Sequence, residues 1–219
     1  MIAIFDWDGT LMDSTGKIIT CMQQAASRVG LEVLDDKSIA NIIGLGLPEA
    51  VRVLYPAIDN LLADQLRANY SHIFIQEDST PCNLFPGVDE GLERLQSAGI
   101  AIAVATGKSR RGLDRMLAGL GWSERFAVTR CADETASKPN PLMLQEILSH
   151  LDSSAAHAVM VGDTEYDLAM AAQIGMPSLG LGYGAHEAER LWIHKPMFVT
   201  DQFVQVVDWI MIEAERLRG

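Results

Sequence analysis

The chain has 219 residues, of which 48% are hydrophobic and 21% are charged. This composition is too apolar for a disordered chain, and it supplies enough material for one sizeable core, alone or with a small inserted module. The formal net charge of −12 arises from 29 acidic and 17 basic residues, which argues against a duplex-binding surface. We therefore expect a globular protein that does not bind nucleic acid.

Three widely spaced cysteines, Cys21, Cys82 and Cys131, form neither a disulfide framework nor a CxxC metal motif. Apolar runs such as Ile100–Ala105 are too short to cross a bilayer. The first eight residues already include two acids, Asp6 and Asp8, whereas a signal peptide begins with a basic region followed by an apolar one. These features predict a cytoplasmic protein without membrane association, and none of them indicates an oligomeric state.

Short apolar runs alternate with longer helical patterns along most of the chain. Continuous apolar runs are typical of parallel strands that are buried on both faces. The predicted strands are, in chain order, Ile2–Phe5, Ile100–Ala105, Phe126–Thr129, Ala158–Val161 and Ser178–Leu181. The helical patterns between them are Gly87–Ser97, Arg111–Leu120, Pro141–His150 and Tyr166–Ile174. This alternation predicts an α/β fold with a doubly wound parallel sheet.

The segment from about Thr15 to Cys82 breaks this alternation, because it contains helical patterns and no good strand run. The patterns are a first one that ends at Gly30, followed by Ser38–Ile43, Pro48–Leu54 and Ile58–Ile75. We interpret residues 15–82 as a small α-helical cap domain inserted into a core made of residues 1–14 and 83–219. The alternative is that these helices pack on the sheet.

Polar residues follow the predicted strands at their carboxyl ends, which is where ligands bind in open α/β sheets. The first strand is followed by Asp6-Trp7-Asp8-Gly9-Thr10-Leu11 and the second by Thr106-Gly107-Lys108. Lys138-Pro139-Asn140-Pro141 opens a helix after the third run, and Gly162-Asp163-Thr164-Glu165-Tyr166-Asp167 follows the fourth. In order and spacing these elements resemble the four motifs of the haloacid dehalogenase-like (HAD) superfamily, in its helical-cap subfamily I. The resemblance implies a Rossmann-like core with the cap in this place.

The two aspartates after the first strand are the predicted catalytic pair. A carboxylate and a phosphoryl group repel each other unless a cation lies beside them, and Mg²⁺ prefers hard oxygen ligands. The resemblance implies that Asp6 attacks phosphorus with one oxygen, binds Mg²⁺ with the other, and forms an aspartyl-phosphate. It implies that Asp8 protonates the leaving oxygen, then deprotonates the hydrolytic water, and binds the metal through its backbone carbonyl.

The remaining motifs supply the expected phosphate and metal contacts. The Thr106 hydroxyl can donate to phosphoryl oxygens, and Gly107 gives the backbone freedom to approach them. Lys138 is a point cation that can screen the nucleophile and the transferring group. By the resemblance, Asp163 ligates Mg²⁺, while Asp167 holds a metal-bound water or Lys138. An ordinary acid at a helix N-terminus is the alternative for Asp167.

Two further features have open interpretations. The segment Gly44-Leu45-Gly46-Leu47 lies between two predicted cap helices. It is either a loop that reaches over the active site and selects the substrate, as in helical-cap relatives, or an ordinary helix–helix turn. Lys108 is either a substrate contact or a solvated lysine.

The subfamily pattern is closest to phosphoglycolate phosphatases, which Asp13-Ser14 and Lys138-Pro139-x-Pro141 support, whereas Trp7 and Gly107 depart from it. We expect Mg²⁺-dependent hydrolysis of a small phosphorylated metabolite. Inorganic pyrophosphatase, sugar phosphatase and phosphomutase activities are alternatives within the superfamily. The alternative to an enzyme is a binding or regulatory protein without catalytic activity. Asp8 argues against a dehalogenase, because a halide leaving group needs no proton.

Overall fold

The computed structural model describes residues 1–218. Six strands form a parallel sheet in the order β5-β4-β1-β6-β7-β8, and β2 and β3 form a separate antiparallel ladder. The strands are β1 (Ile2–Phe5), β2 (Met12–Asp13), β3 (Asn83–Leu84), β4 (Ala101–Thr106), β5 (Val128–Cys131), β6 (Ala158–Gly162), β7 (Ser178–Leu181) and β8 (Val199–Thr200). The predicted α/β class with a doubly wound parallel sheet is confirmed.

The helices are α1 (Thr15–Arg28), α2 (Asp36–Ala40), α3 (Leu47–Leu54), α4 (Asn60–His72), α5 (Val88–Ser97), α6 (Arg110–Leu120), α7 (Leu142–His150), α8 (Glu165–Ala172), α9 (Ala188–Leu191) and α10 (Phe203–Arg216). A π-helical turn at Ile73–Glu77 continues α4. Short 3₁₀ turns lie at Ala155–His157 and Trp192–His194.

The sheet is covered on both faces, and the central strand β1 is completely buried. Successive side chains of a strand point to opposite faces. Accordingly, Ala3 and Phe5 belong to a cluster with apolar residues of α5, α6 and α10. Ile2 and Ile4 belong to a second cluster with residues of α7 and α8. Because both faces of β1 are buried, its sequence is an unbroken apolar run.

Two parts of the sheet domain differ from the sequence expectation. β5 begins at Val128, two residues later than the predicted run, because Phe126 packs against Trp7 and Trp122 outside the ladder. The last helix, α10, was not predicted. Its buried residues are Phe203, Val206, Val207, Ile210 and Ala214, at the spacing of an amphipathic helix.

The region between β2 and β3 contains α1 to α4 and a hydrophobic cluster of its own, which includes Cys21, Met22, Leu66 and Ile73. The antiparallel β2–β3 ladder joins the two chain segments that lead into and out of this region. The division into a core of residues 1–14 and 83–219 and a cap of residues 15–82 stays a prediction. Within residues 1–218, no helix combines the length and apolar character needed to cross a membrane.

Candidate active site

Asp6 and Asp8 lie just beyond the carboxyl end of β1 and both line one cavity. Trp7, between them, is completely buried and packs edge-on against Trp122 and Phe126, with ring centroids 6.4 and 6.2 Å away. Trp7 is thus anchored in the core, while the acids on either side of it line the cavity.

Lys138 joins two of the predicted site residues. Its ammonium nitrogen lies 2.7 Å from Asp6 Oδ1 and 2.6 Å from Asp167 Oδ1. All three side chains are almost completely buried. Asp167 uses its second oxygen, Oδ2, to accept hydrogen bonds from the Thr164 backbone N–H and hydroxyl at the start of α8. Asp167 is therefore both a helix-capping acid and a partner of Lys138, so the two interpretations of this residue are compatible.

Asp163 follows β6 and is held by groups that are distant in the sequence. Its Oδ1 accepts from the Thr10 hydroxyl at 2.7 Å, and its Oδ2 accepts from the Ala185 backbone N–H at 2.7 Å. Gly9 has a φ of 81°, and a Cβ at that position would collide with the Asp163 carboxylate. The glycine after Asp8 therefore allows the loop that follows β1 to approach the end of β6.

Carboxylate oxygens of Asp6, Asp163 and Asp167 lie within 4.8 Å of one another. Burial raises the pKa of Asp6 well above its ordinary value, against the lowering effect of Lys138. Burial, together with the Asp167 charge, raises the pKa of Asp163 to about 7. Burial alone would lower the pKa of Lys138, but Asp167 and Asp6 raise it above its ordinary value. Three buried carboxyl groups thus lie around one buried ammonium, and the raised pKa values of Asp6 and Asp163 indicate that the cluster is short of positive charge.

Asp8 has a separate set of partners. The Ser14 hydroxyl donates to Asp8 Oδ1 at 2.5 Å, and the Lys108 ammonium lies 2.9 and 3.0 Å from the two carboxylate oxygens. The Lys108 side chain is only 11% exposed, so the solvated-lysine interpretation is wrong. The Asp8 side chain is thus oriented by two contacts that do not involve the Asp6 cluster. The metal contact expected through its backbone carbonyl stays a prediction.

Thr106 is the last residue of β4 and is buried at the cavity wall. Gly107 follows it and lies directly under the segment between α2 and α3. A Cβ on Gly107 would be 2.5 Å from the carbonyl oxygens of both Gly44 and Leu45. The Gly46 backbone N–H donates to the Ser137 hydroxyl at 2.8 Å, beside Lys138. The segment between the two helices therefore lies against the carboxyl edge of the sheet.

The helical region makes a second contact with the sheet domain at Asn41. The Asn41 carbonyl accepts from the Tyr166 hydroxyl at 2.8 Å and lies 3.2 Å from His186 Nε2. His186 Nδ1 accepts from the Glu165 backbone N–H, which leaves Nε2 as the donor to Asn41. Arg190 donates to the Asn41 side-chain oxygen at 2.7 Å. None of the Asn41 contacts was expected from the sequence, since they join residues more than a hundred positions apart.

The structure thus brings together the predicted residues from all four strand ends. Asp6, Asp8, Thr106 and Gly107 line the cavity, together with Gly44, Leu45 and Leu47. Lys138, Asp163 and Asp167 are buried beside Asp6. The hydroxyls of Thr10 and Ser14, which support Asp163 and Asp8, were not predicted, although both residues lie within or next to the first motif.

The comparison with protein families agrees with this geometry. Residues 3–181 match the family model described as "Haloacid dehalogenase-like hydrolase", which covers most of the chain and all four motifs. The chain belongs to the haloacid dehalogenase-like hydrolases. The resemblance inferred from the motifs is confirmed, and membership in this hydrolase family agrees with the prediction of an enzyme.

Similar proteins of the family have related names. A Dickeya dadantii protein named "Probable phosphatase IndB" is 34% identical over 94% of this chain and 91% of its own length. A Vibrio vulnificus protein named "Phosphoglycolate phosphatase" is 29% identical over 96% of both chains. A crystal structure of a hydrolase from Pseudomonas syringae has a TM-score of 0.87 at 19% identity, covering 96% of this chain and 97% of that one. This last similarity supports the fold alone.

Proposed function

We propose that this haloacid dehalogenase-like protein is a Mg²⁺-dependent phosphatase that hydrolyses a small phosphorylated metabolite through an aspartyl-phosphate on Asp6. The observation that carries the proposal is that Asp6 and Asp8 line one cavity while Lys138, Asp163 and Asp167 surround Asp6. The names of the Dickeya and Vibrio relatives support phosphate esters as the substrate class.

The residues around Asp6 suit a divalent cation. Three buried carboxylates face one buried ammonium, and Asp6 Oδ2 has no hydrogen-bond partner within residues 1–218. The donors are hard oxygens, which Mg²⁺ prefers. We infer that Asp6, Asp163 and the Asp8 backbone carbonyl would hold the ion, while Asp167 keeps Lys138 in place. Mg²⁺ held there would neutralise charge between the anionic reactants and help to orient the phosphoryl group.

The side chains account for both steps of the reaction. An Asp6 oxygen forms a bond to phosphorus while the bond between phosphorus and the leaving oxygen breaks, and Asp8 gives that oxygen its proton. Water then attacks phosphorus and passes a proton to Asp8, and Asp6 departs as a carboxylate. The Thr106 hydroxyl donates to a phosphoryl oxygen, and Lys138 screens the charge that builds up. Lys108 and Ser14 orient Asp8.

We further propose that residues 15–82 act as a cap and that Gly44, Leu45, Gly46 and Leu47 contribute to substrate selection. The support is that this segment lies against Gly107 and Ser137 and that all of its residues except Gly46 line the same cavity as Asp6. A substitution that lifts the segment should therefore disturb turnover without touching an acid.

Gly107→Ala should lower kcat/KM for a phosphate ester by about 10- to 100-fold, because the new Cβ would displace the backbone at Gly44 and Leu45. Gly119→Ala is the matched control, since a Cβ at that position in α6 meets nothing within 4 Å. The measurement is initial-rate kinetics on 4-nitrophenyl phosphate with thermal unfolding of both variants. Equal kinetics for the two variants would contradict a role for this segment.

Metal removal tests the proposed function as a whole. After chelation and gel filtration, release of phosphate from 4-nitrophenyl phosphate should stop, and added Mg²⁺ should restore it, because the Asp6 cluster is short of positive charge and needs a cation to keep its carboxylates ionised. Circular dichroism of the metal-free protein checks that the fold persists. Undiminished phosphate release from the metal-free protein would refute the proposed metal dependence.

A further inference from the structure

The cavity beside Asp6 and Asp8 is much larger than a phosphate group needs. Its volume is about 360 Å³, within the range of pockets that enclose drug-sized organic ligands. Most of the side chains that line it away from the acids are apolar. They come from the helical region and from α6, and they include Ile18, Met22, Leu45, Leu47, Phe74 and Met116. The space available for the leaving group is therefore bounded mainly by hydrocarbon.

Phe74 has a particular place in this wall. It lies in the π-helical turn after α4, where its ring is 5.8 Å from the ring of Tyr70, and both side chains line the cavity. The ammonium groups of Lys17 and Lys108 lie 4.9 and 5.0 Å from the Phe74 ring centroid. The ring thus lies close to Lys108, which contacts Asp8, the residue that faces the leaving oxygen in the proposed reaction.

The two largely buried lysines at the cavity already have partners. Lys17 donates to the carbonyl oxygens of Asp78 and Thr80 at 2.9 and 3.1 Å, and Lys108 contacts Asp8. Arg115 also lines the cavity, but its side chain is exposed at the surface. A leaving group with its own buried carboxylate or phosphate would approach the acids Asp8 and Asp78, and residues 1–218 offer no free buried cation there to balance it, which is unfavourable.

We propose that the substrate of this phosphatase has an uncharged leaving group with a substantial apolar part, aromatic or branched, that packs on Phe74. This proposal rests on the proposed phosphatase function and narrows its substrate class. The proposed leaving group differs from that of phosphoglycolate, the substrate in the name of the Vibrio relative, because glycolate is small and anionic. It equally disfavours inorganic pyrophosphate, whose leaving group is a phosphate.

The test compares three esters whose leaving groups are all alkoxides: benzyl phosphate, ethyl phosphate and 2-phosphoglycolate. With Mg²⁺, kcat/KM for benzyl phosphate should exceed that for ethyl phosphate by about 10-fold or more, because the ring becomes buried. 2-Phosphoglycolate should be the poorest of the three. Phe74→Ala should reduce the ratio of benzyl to ethyl phosphate by about 10-fold. Leu61→Ala, at an exposed position of α4, should leave that ratio unchanged.

The outcomes separate the inference from the function on which it rests. If 2-phosphoglycolate is the best ester, or if all three react equally, the inference is overturned and the phosphatase function stands. If no ester is hydrolysed with Mg²⁺ present, the proposed function fails and the inference fails with it. The comparison on the unmodified protein decides the matter even if Phe74→Ala does not fold.

Discussion

Replacing Asp6 with asparagine should lower kcat for phosphate-ester hydrolysis by roughly 10⁴-fold or more, because an amide cannot replace the attacking carboxylate. The substitution keeps the size of the side chain, so the cavity should be preserved. It also removes one of the two buried carboxylates that contact Lys138. We therefore expect the metal-free variant to unfold at the same temperature as the unmodified protein or a higher one, as is common when a catalytic charge is neutralised.

Asp13→Asn provides the matched control for this experiment. Asp13 lies in β2, close to Asp6 in the sequence, but its side chain is exposed. Its replacement should change neither kcat nor the unfolding temperature beyond experimental error. An Asp6→Asn variant that is folded and keeps more than about one-hundredth of the unmodified activity would contradict the nucleophilic role of Asp6.

Replacing Lys138 with methionine should affect both activity and stability. The ammonium group contacts Asp6 and Asp167 at 2.7 and 2.6 Å, and its removal leaves two buried carboxylates without their common partner. Removing one member of a buried charge cluster typically costs about 3–5 kcal/mol. For a chain of this size, that loss corresponds to a fall in unfolding temperature of roughly 10 °C in metal-free buffer.

The same variant should lower kcat by roughly 10³-fold, because a preorganised cation beside the nucleophile is lost. Added Mg²⁺ should recover part of the stability, since the ion would again screen the carboxylates, but it should not restore kcat. Lys37→Met, at an exposed position of α2, is the control and should leave both quantities unchanged. Unaltered stability and turnover in Lys138→Met would show that the buried ammonium has neither role.

Much of the sheet could be predicted from local sequence because its central strands are buried on both faces. β1 and β7 have the predicted bounds, and β4 and β6 differ from the predicted runs by a residue. α10 was missed although its apolar spacing is visible in the sequence. The edge strand β8 has only two half-buried residues, which is too short a pattern to recognise.

The meeting of the four motifs could be predicted because parallel strands bring their carboxyl ends to one edge of the sheet. The contacts around the motif residues could not be predicted. The ammonium group of Lys108 contacts Asp8 and lies near the ring of Phe74, which comes from another region of the chain. Likewise, the hydrogen bond from the Thr10 hydroxyl to Asp163 joins residues 153 positions apart, so no local sequence pattern predicts it.

The most direct test of the central claim is a search for the phosphoryl group on Asp6 itself. In Asp8→Asn the second step lacks its proton acceptor, so an aspartyl-phosphate should accumulate when the variant is mixed with Mg²⁺ and 4-nitrophenyl phosphate and quenched in acid. Mass spectrometry should find the phosphoryl group on the peptide that contains Asp6, and hydroxylamine should release it. A phosphoryl group on another residue, or an unmodified peptide after nitrophenol has been released, would contradict the proposed mechanism.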